Sequence, residues 1–158
     1  MSTEKTKPST GELFTVDGNM MFSGDGRIEF DSNDLELRLL IPNETTVGFY
    51  QNRSLPSEKH LSFTFSKDIT TGTHTLAQGS PFLAANFHEA LNNELGIQPP
   101  EHYTATEGTV TFVLLGNSPD NIGYLVTTFN LTVKSLRTGK NIELSGKFQS
   151  HLTYTTAN

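Results

Sequence analysis

Apolar and polar residues alternate with a period of two along most of this chain, the pattern of strands with one buried and one wet face. The segment RIEF places Ile28 and Phe30 on one side. DLELRLLIP places Leu35, Leu37, Leu39 and Ile41 together, opposite Glu36 and Arg38, and Pro42 ends the run because it cannot donate to a ladder. TVGFY offers Val47 and Phe49, and HLSFTFSK offers Leu61, Phe63 and Phe65 opposite Ser62, Thr64 and Ser66. TGTHTLAQ predicts a short strand with His74 and Leu76 in phase. GTVTFVLLG is nearly continuous in apolar residues, as in a strand covered on both faces.

Residues 123–152 carry the clearest alternation. Leu125, Thr127, Phe129, Leu131 and Val133 share one predicted face, and Tyr124, Thr128, Asn130, Thr132 and Lys134 the other. The turn SLRTGKN has Gly139 where left-handed backbone is tolerated without strain. Ile142, Leu144, Phe148 and Leu152 follow on one face, opposite Glu143, Ser145, Lys147 and Gln149. Gly146 falls on the apolar face, where a bulge or close packing favours the absence of a side chain. The two runs predict a hairpin with one greasy and one wet side.

One segment breaks the rhythm. In GSPFLAANFHEALNNELGIQPP, Leu83, Phe87, Leu91 and Leu95 recur every fourth residue. Ser80 suits an N-cap, Pro81 the first helical turn, and Gly96, Pro99 and Pro100 a helix end. The spacing predicts a short amphipathic helix over about residues 81–95. The whole pattern predicts an all-β domain over 11–158: an antiparallel two-sheet sandwich or flattened barrel of about eight strands, with that helix at one end. Residues 1–10 have no periodicity and read as a flexible N-terminal tail.

Composition narrows the function more than it identifies it. The chain has 158 residues, enough for one domain with its own core, and its 22 threonines and 11 phenylalanines suit strands. The absence of cysteine excludes disulfides, thiolate zinc sites and cysteine nucleophiles. The opening MSTEKTKPSTGELF lacks an apolar signal core, and no run of 18 apolar residues occurs. These features lead us to expect no membrane span and a cytoplasmic protein by default, with an exported chain whose signal has been removed as the alternative. The net charge of −6 argues against nucleic-acid binding. Acids gather in residues 12–44, whereas residues 121–158 carry a net +3. These two regions could meet within one fold or across a subunit contact, which makes a homo-oligomer a further expectation.

Candidate chemistry is sparse. His60, His74, His88 and His102 fall 14 residues apart, but their local settings share nothing and indicate no repeat. HEALN begins like a zinc-protease helix, yet Asn92 stands where the second histidine is needed. SLRTGKN lacks the first glycine and the terminal hydroxyl of a phosphate-binding loop. The acids around Asp25, Asp31 and Asp34 do not match the spacing of a calcium loop. Hence neither an enzyme nor a cofactor or metal is expected. Aromatic residues beside amides can stack on sugars, which singles out Tyr50, Asn52 and Arg53, and Tyr124 beside Asp120 and Asn121. Arg137 and Lys140 mark the basic turn over 134–141 as a second candidate surface. The expected function is a non-catalytic binding or protein-interaction module with a protein or glycan partner. The alternatives are a carbohydrate-binding sandwich and a barrel holding a small apolar ligand among Phe63, Phe65, Phe112 and Phe129.

The order GTHTL, an insert, YTATEGTVTF and then GYLVTTFNLTVKSLRTGKNIELSGKF resembles uncharacterised bacterial lipoprotein-like β-sandwich domains over roughly residues 61–150. In those, a G-T-Y-x-L strand precedes a G-T-V-T-I strand and a closing hairpin. Here His74 replaces the usual Tyr, the predicted helix is longer, and the lipid-anchoring cysteine is missing. The resemblance implies a fold and carries no activity or site residue with it.

Overall fold

The alternating segments form strands, and none of the described residues is helical, in a computed structural model that describes residues 12–40, 43–90, 92–93, 96–97, 100–118 and 121–156. The strands are β1 (Glu12–Gly24), β2 (Ile28–Ser32), β3 (Asp34–Leu40), β4 (Glu44–Gln51), β5 (Lys59–Ser66), β6 (Gly72–Thr75), β7 (Phe82–Glu89), β8 (Asn92–Asn93), β9 (Gly96–Ile97), β10 (Glu101–Ser118), β11 (Asn121–Ser135) and β12 (Asn141–Thr156). Neighbours in the main sheet follow the order β2-β1-β12-β11-β10-β7-β5-β4-β3, all antiparallel, with β6 added to β10. The first and last strands of that path, β2 and β3, are consecutive in the chain. The sheet therefore curls until it is nearly a closed barrel, rather than two separate sheets.

Near-closure depends on the bend at Asn33. The Ser32 hydroxyl donates to the Tyr50 carbonyl and accepts from the Asp34 amide at 2.9 Å. The Asp31 amide donates to Gln51 Oε1 at 2.9 Å. These bonds turn the chain from its ladder with β1 to its ladder with β4. Below the bend, β1 and β3 approach within 8 Å between Cα atoms without a ladder between them.

The interior is filled by rings. Phe49, Phe63, Phe65, Phe82, Phe87, Phe112 and Phe129 are all fully buried. Phe63 lies 5.0 Å from both Phe129 and Phe148 and 5.9 Å from Phe82 between centroids, the range in which tilted and edge contacts add to area burial. Leu61, Val47, Ile28, Phe30, Ile142, Leu144 and Phe148 are buried as their alternation predicts. At Gly146, an added Cβ would meet the Met21 carbonyl oxygen at 2.1 Å and Phe22 Cβ at 2.4 Å, so β1 presses on β12 where no side chain intervenes. Gly139 takes φ 78° in the β11–β12 turn.

Three expectations need correction. Residues 82–89 form a strand rather than a helix. A bulge between Thr64 and Phe65 shifts their register against β7, so the buried positions are Phe82, Ala85, Phe87 and Glu89. Of the stripe that predicts the helix, Phe87 is buried but Leu83 is exposed, because the bulge turns Phe82 and Ala85 inward instead. Ser80 still accepts from the Phe82 amide, as a helix cap would, but a strand follows. The rest of the predicted helix includes residues 91, 94 and 95, which lie outside the described residues, as does the predicted tail.

In β11 a second bulge falls between Val126 and Phe129. Phe129, Leu131 and Val133 face inward as predicted, but Thr127 and Thr128 both face outward, and the inward residues before them are Tyr124 and Val126. In β10, Val110 and Phe112 are buried while Leu115 is 59% exposed, so that apolar run is not covered on both faces.

Candidate functional site

The chemistry-bearing residues concentrate at one end of the barrel. The β1–β2 turn, the 52–58 loop, the start of β10 and the β11–β12 turn meet there. The Ala90 amide donates to the Glu58 carbonyl at 2.8 Å, and the Leu136 amide to the His102 carbonyl at 2.8 Å, which ties these segments together.

Asp25 and Gly26 form the β1–β2 turn with φ of 54° and 65°. Two left-handed residues in succession suit a two-residue hairpin, and Asp-Gly is the pair that adopts it readily. The turn throws Arg27 across the barrel mouth to Glu89 on β7, with guanidinium-to-carboxylate distances of 2.7 and 3.0 Å. Beside it, Glu101 accepts from the Ser135 hydroxyl at 2.8 Å and from Arg137 at 2.6 Å. Glu89 and Glu101 are cross-strand partners, and each is only 4% exposed. Two adjacent buried carboxylates repel unless each is matched by a cation, and here each has its own arginine. The Glu89 carboxylate raises the Arg27 pKa, although burial opposes this. Burial pushes the Glu101 pKa up, but the Ser135 and Arg137 bonds outweigh it and hold it below the usual value.

The ligand-binding candidates Arg137 and Lys140 thus have intramolecular partners: Arg137 binds Glu101, and Lys140 Nζ lies 3.6 Å from Asp25. Asp25 from the acidic segment and Lys140 from the basic one meet within a single chain.

The second group of candidates surrounds Tyr50. The Arg53 guanidinium lies over one face of the Tyr50 ring at 3.7 Å from the centroid, and His60 stacks with that ring at 4.0 Å and 19°. Both stackings at such distances take the two opposite faces of the ring, leaving neither for a sugar. His60 fits because Gly48 lies beneath it; a Cβ there would meet His60 Nε2 at 2.6 Å. Arg53 also binds Asp34 through two contacts of 2.8 Å, and the Tyr50 hydroxyl donates to Glu36 at 3.2 Å.

Asn52 begins a tight loop. Asn52 and Ser54 hold φ of 57° and 67°, left-handed values that are strained for a serine. Asn52 Nδ2 donates to Ser57 Oγ at 2.9 Å, and the Ser54 amide donates to Glu58 Oε1 at 2.7 Å. Tyr124 corrects its expectation. It is 2% exposed and packs against Phe112 at 5.1 Å, because the β11 bulge reverses the phase of the strand before Thr127. Its neighbour Asp120 lies outside the described residues.

Two features were missed in the sequence. The helical reading puts Glu89 on a wet face, whereas it is buried at the mouth. His60, His88 and His102 are in register across β5, β7 and β10, one row on the barrel wall. They lie 28 and 14 residues apart in the chain, so the spacing alone does not mark the row; the pairing of strands does, and it leaves out His74. Among the described residues, no group of three or more histidine and acidic side chains could hold a metal ion. None of the described residues forms a helix long and apolar enough to cross a membrane.

Comparison of the chain with protein-family models, with curated proteins and with solved structures yields no match.

Proposed function

We propose that the protein is a non-catalytic interaction module whose partner-facing surface is the loop-bearing end of the barrel. The observation that carries this reading is the pair of apolar side chains held outward there, Leu55 at 55% exposure and Leu136 at 71%. Leu55 sits in the strained 52–58 loop, and Leu136 in a turn where the Ser135 hydroxyl accepts from the Arg137 and Thr138 amides. Backbone strain held by local hydrogen bonds fixes a surface before binding, so little ordering entropy is lost on association. Arg53 and Arg137, within two residues of these leucines in the chain, add polar groups beside them.

The other readings have weaker support. The phenylalanine-filled interior favours no apolar ligand within it, and the two aromatic platforms for sugar stacking are a sandwiched Tyr50 and a buried Tyr124. The buried acids at the mouth are held by arginines, which favours a structural role over acid–base chemistry. The test is crosslinking with quantitative mass spectrometry, comparing wild type with Leu55→Ser/Leu136→Ser at unchanged thermal stability. A partner retained by the wild type and lost by the double variant supports the reading. Equal retention by both proteins overturns the placement.

A further inference from the structure

We propose that His88 and His102 form a two-imidazole site for a divalent transition-metal ion on the outer wall of the barrel. The two residues are cross-strand partners on β7 and β10, so a rigid ladder fixes their separation. Their Nδ1 atoms lie 3.3 Å apart, and their rings meet at 73° with centroids 4.5 Å apart.

The distance is what makes the pair a chelate. Metal-to-imidazole bonds are ~2.0–2.1 Å, and two such bonds to nitrogens 3.3 Å apart subtend roughly 107° at the metal, a tetrahedral angle. The separation of the two nitrogens thus already matches that of a two-imidazole chelate. Imidazole donors select zinc, copper or nickel over calcium and magnesium, which take oxygen.

The two nitrogens face each other in a hydrogen bond, which an ion bound to both replaces. Burial lowers the His88 pKa, and His102 lowers it further, while Glu58 opposes both. Burial also lowers that of His60, the next residue in the row; Glu36 and Glu58 oppose this, and His88 and Arg53 reinforce it. Neutral imidazole is the ligating form. With no third histidine or carboxylate grouped with them among the described residues, water completes the coordination sphere, or a donor from a bound partner does so. The Leu136 amide bonds to the His102 carbonyl, which puts this site at the margin of the proposed interaction surface. The metal site nevertheless stands on its own geometry and does not depend on that surface.

The experiment is a titration of untagged, full-length protein with copper(II) and, separately, zinc(II), read by calorimetry and by proton–nitrogen NMR of the histidine rings. One ion per chain is expected, with substoichiometric copper broadening His88 and His102 before His74 and His151. His88→Gln and His102→Gln should each weaken binding by at least about tenfold, the lower bound for losing even an outer-shell partner of a metal. His74→Gln and His151→Gln should leave it unchanged. Broadening spread evenly over all five histidines, or affinity indifferent to His88→Gln and His102→Gln, overturns the site. The wild-type NMR readout needs no variant, so a folding defect in one substitution does not blunt the test.

Discussion

The barrel interior and the barrel mouth are both buried, yet they are held by opposite physics. In the interior, Phe63 touches other rings on several sides and makes no directional bond. At the mouth, Glu89 and Glu101 are also buried, but each is tolerated only because an arginine reaches it. Apolar packing stabilises in proportion to area and tolerates some rearrangement. A buried ion pair contributes little net stability while intact, but losing one partner leaves an uncompensated charge. The interior therefore supplies stability, and the mouth determines where the β1–β2 turn rests.

The largest expected effect tests the interior. Phe63→Ala should cost about 3–5 kcal/mol in urea unfolding, the range for a fully buried phenylalanine. A loss below about 1 kcal/mol would mean the rings are loosely packed and would remove the contrast. Next, Gly146→Ala should cost about 1–3 kcal/mol, because the new methyl must displace the Met21 backbone.

Arg27→Met tests the mouth directly. A fully buried pair that loses one partner costs ~3–5 kcal/mol, and Arg27 is half exposed, so about 2 kcal/mol is expected by the same unfolding assay. Arg27→Met/Glu89→Met should recover most of that loss, since removing both charges leaves no orphan. Failure of the double variant to recover would show that the pair does more than neutralise charge.

The smallest effect sharpens the comparison through pH. The folded pKa values of His60 and His88 lie below the unfolded value of 6.5, chiefly through burial. The unfolded chain therefore binds more protons in that window, and stability falls as pH drops below 6.5. Glu101 is also depressed relative to 4.5, so its contribution is present above that pH and is lost as pH falls through its folded pKa. Thermal melts should show two acid limbs. His60→Gln/His88→Gln should abolish the upper limb and leave the lower one.

The strands were legible wherever alternation was unbroken. Ile28 and Phe30, Val47 and Phe49, Leu61 to Phe65, and Ile142 to Phe148 are buried as their spacing requires. The misreadings lie at bulges. One extra residue shifts the phase of every side chain beyond it, which sent Tyr124 into the core and turned Phe82 and Ala85 inward in place of Leu83. The candidate site was partly legible. The sequence marks Arg53, Arg137 and Lys140 as ligand-binding candidates, but their partners Asp34, Glu101 and Asp25 lie 19, 36 and 115 residues away in the chain.

By itself the sequence determined that this chain is built of strands and that thiol chemistry is excluded, because both follow from local pattern and composition. Tertiary structure alone decided that the sheet curls until β2 and β3 nearly complete a ring, that two glutamates share a buried mouth, and that three histidines line up in register. Those features depend on which strands become neighbours. Neighbour choice is made by packing across the whole barrel, where no local window of sequence reaches.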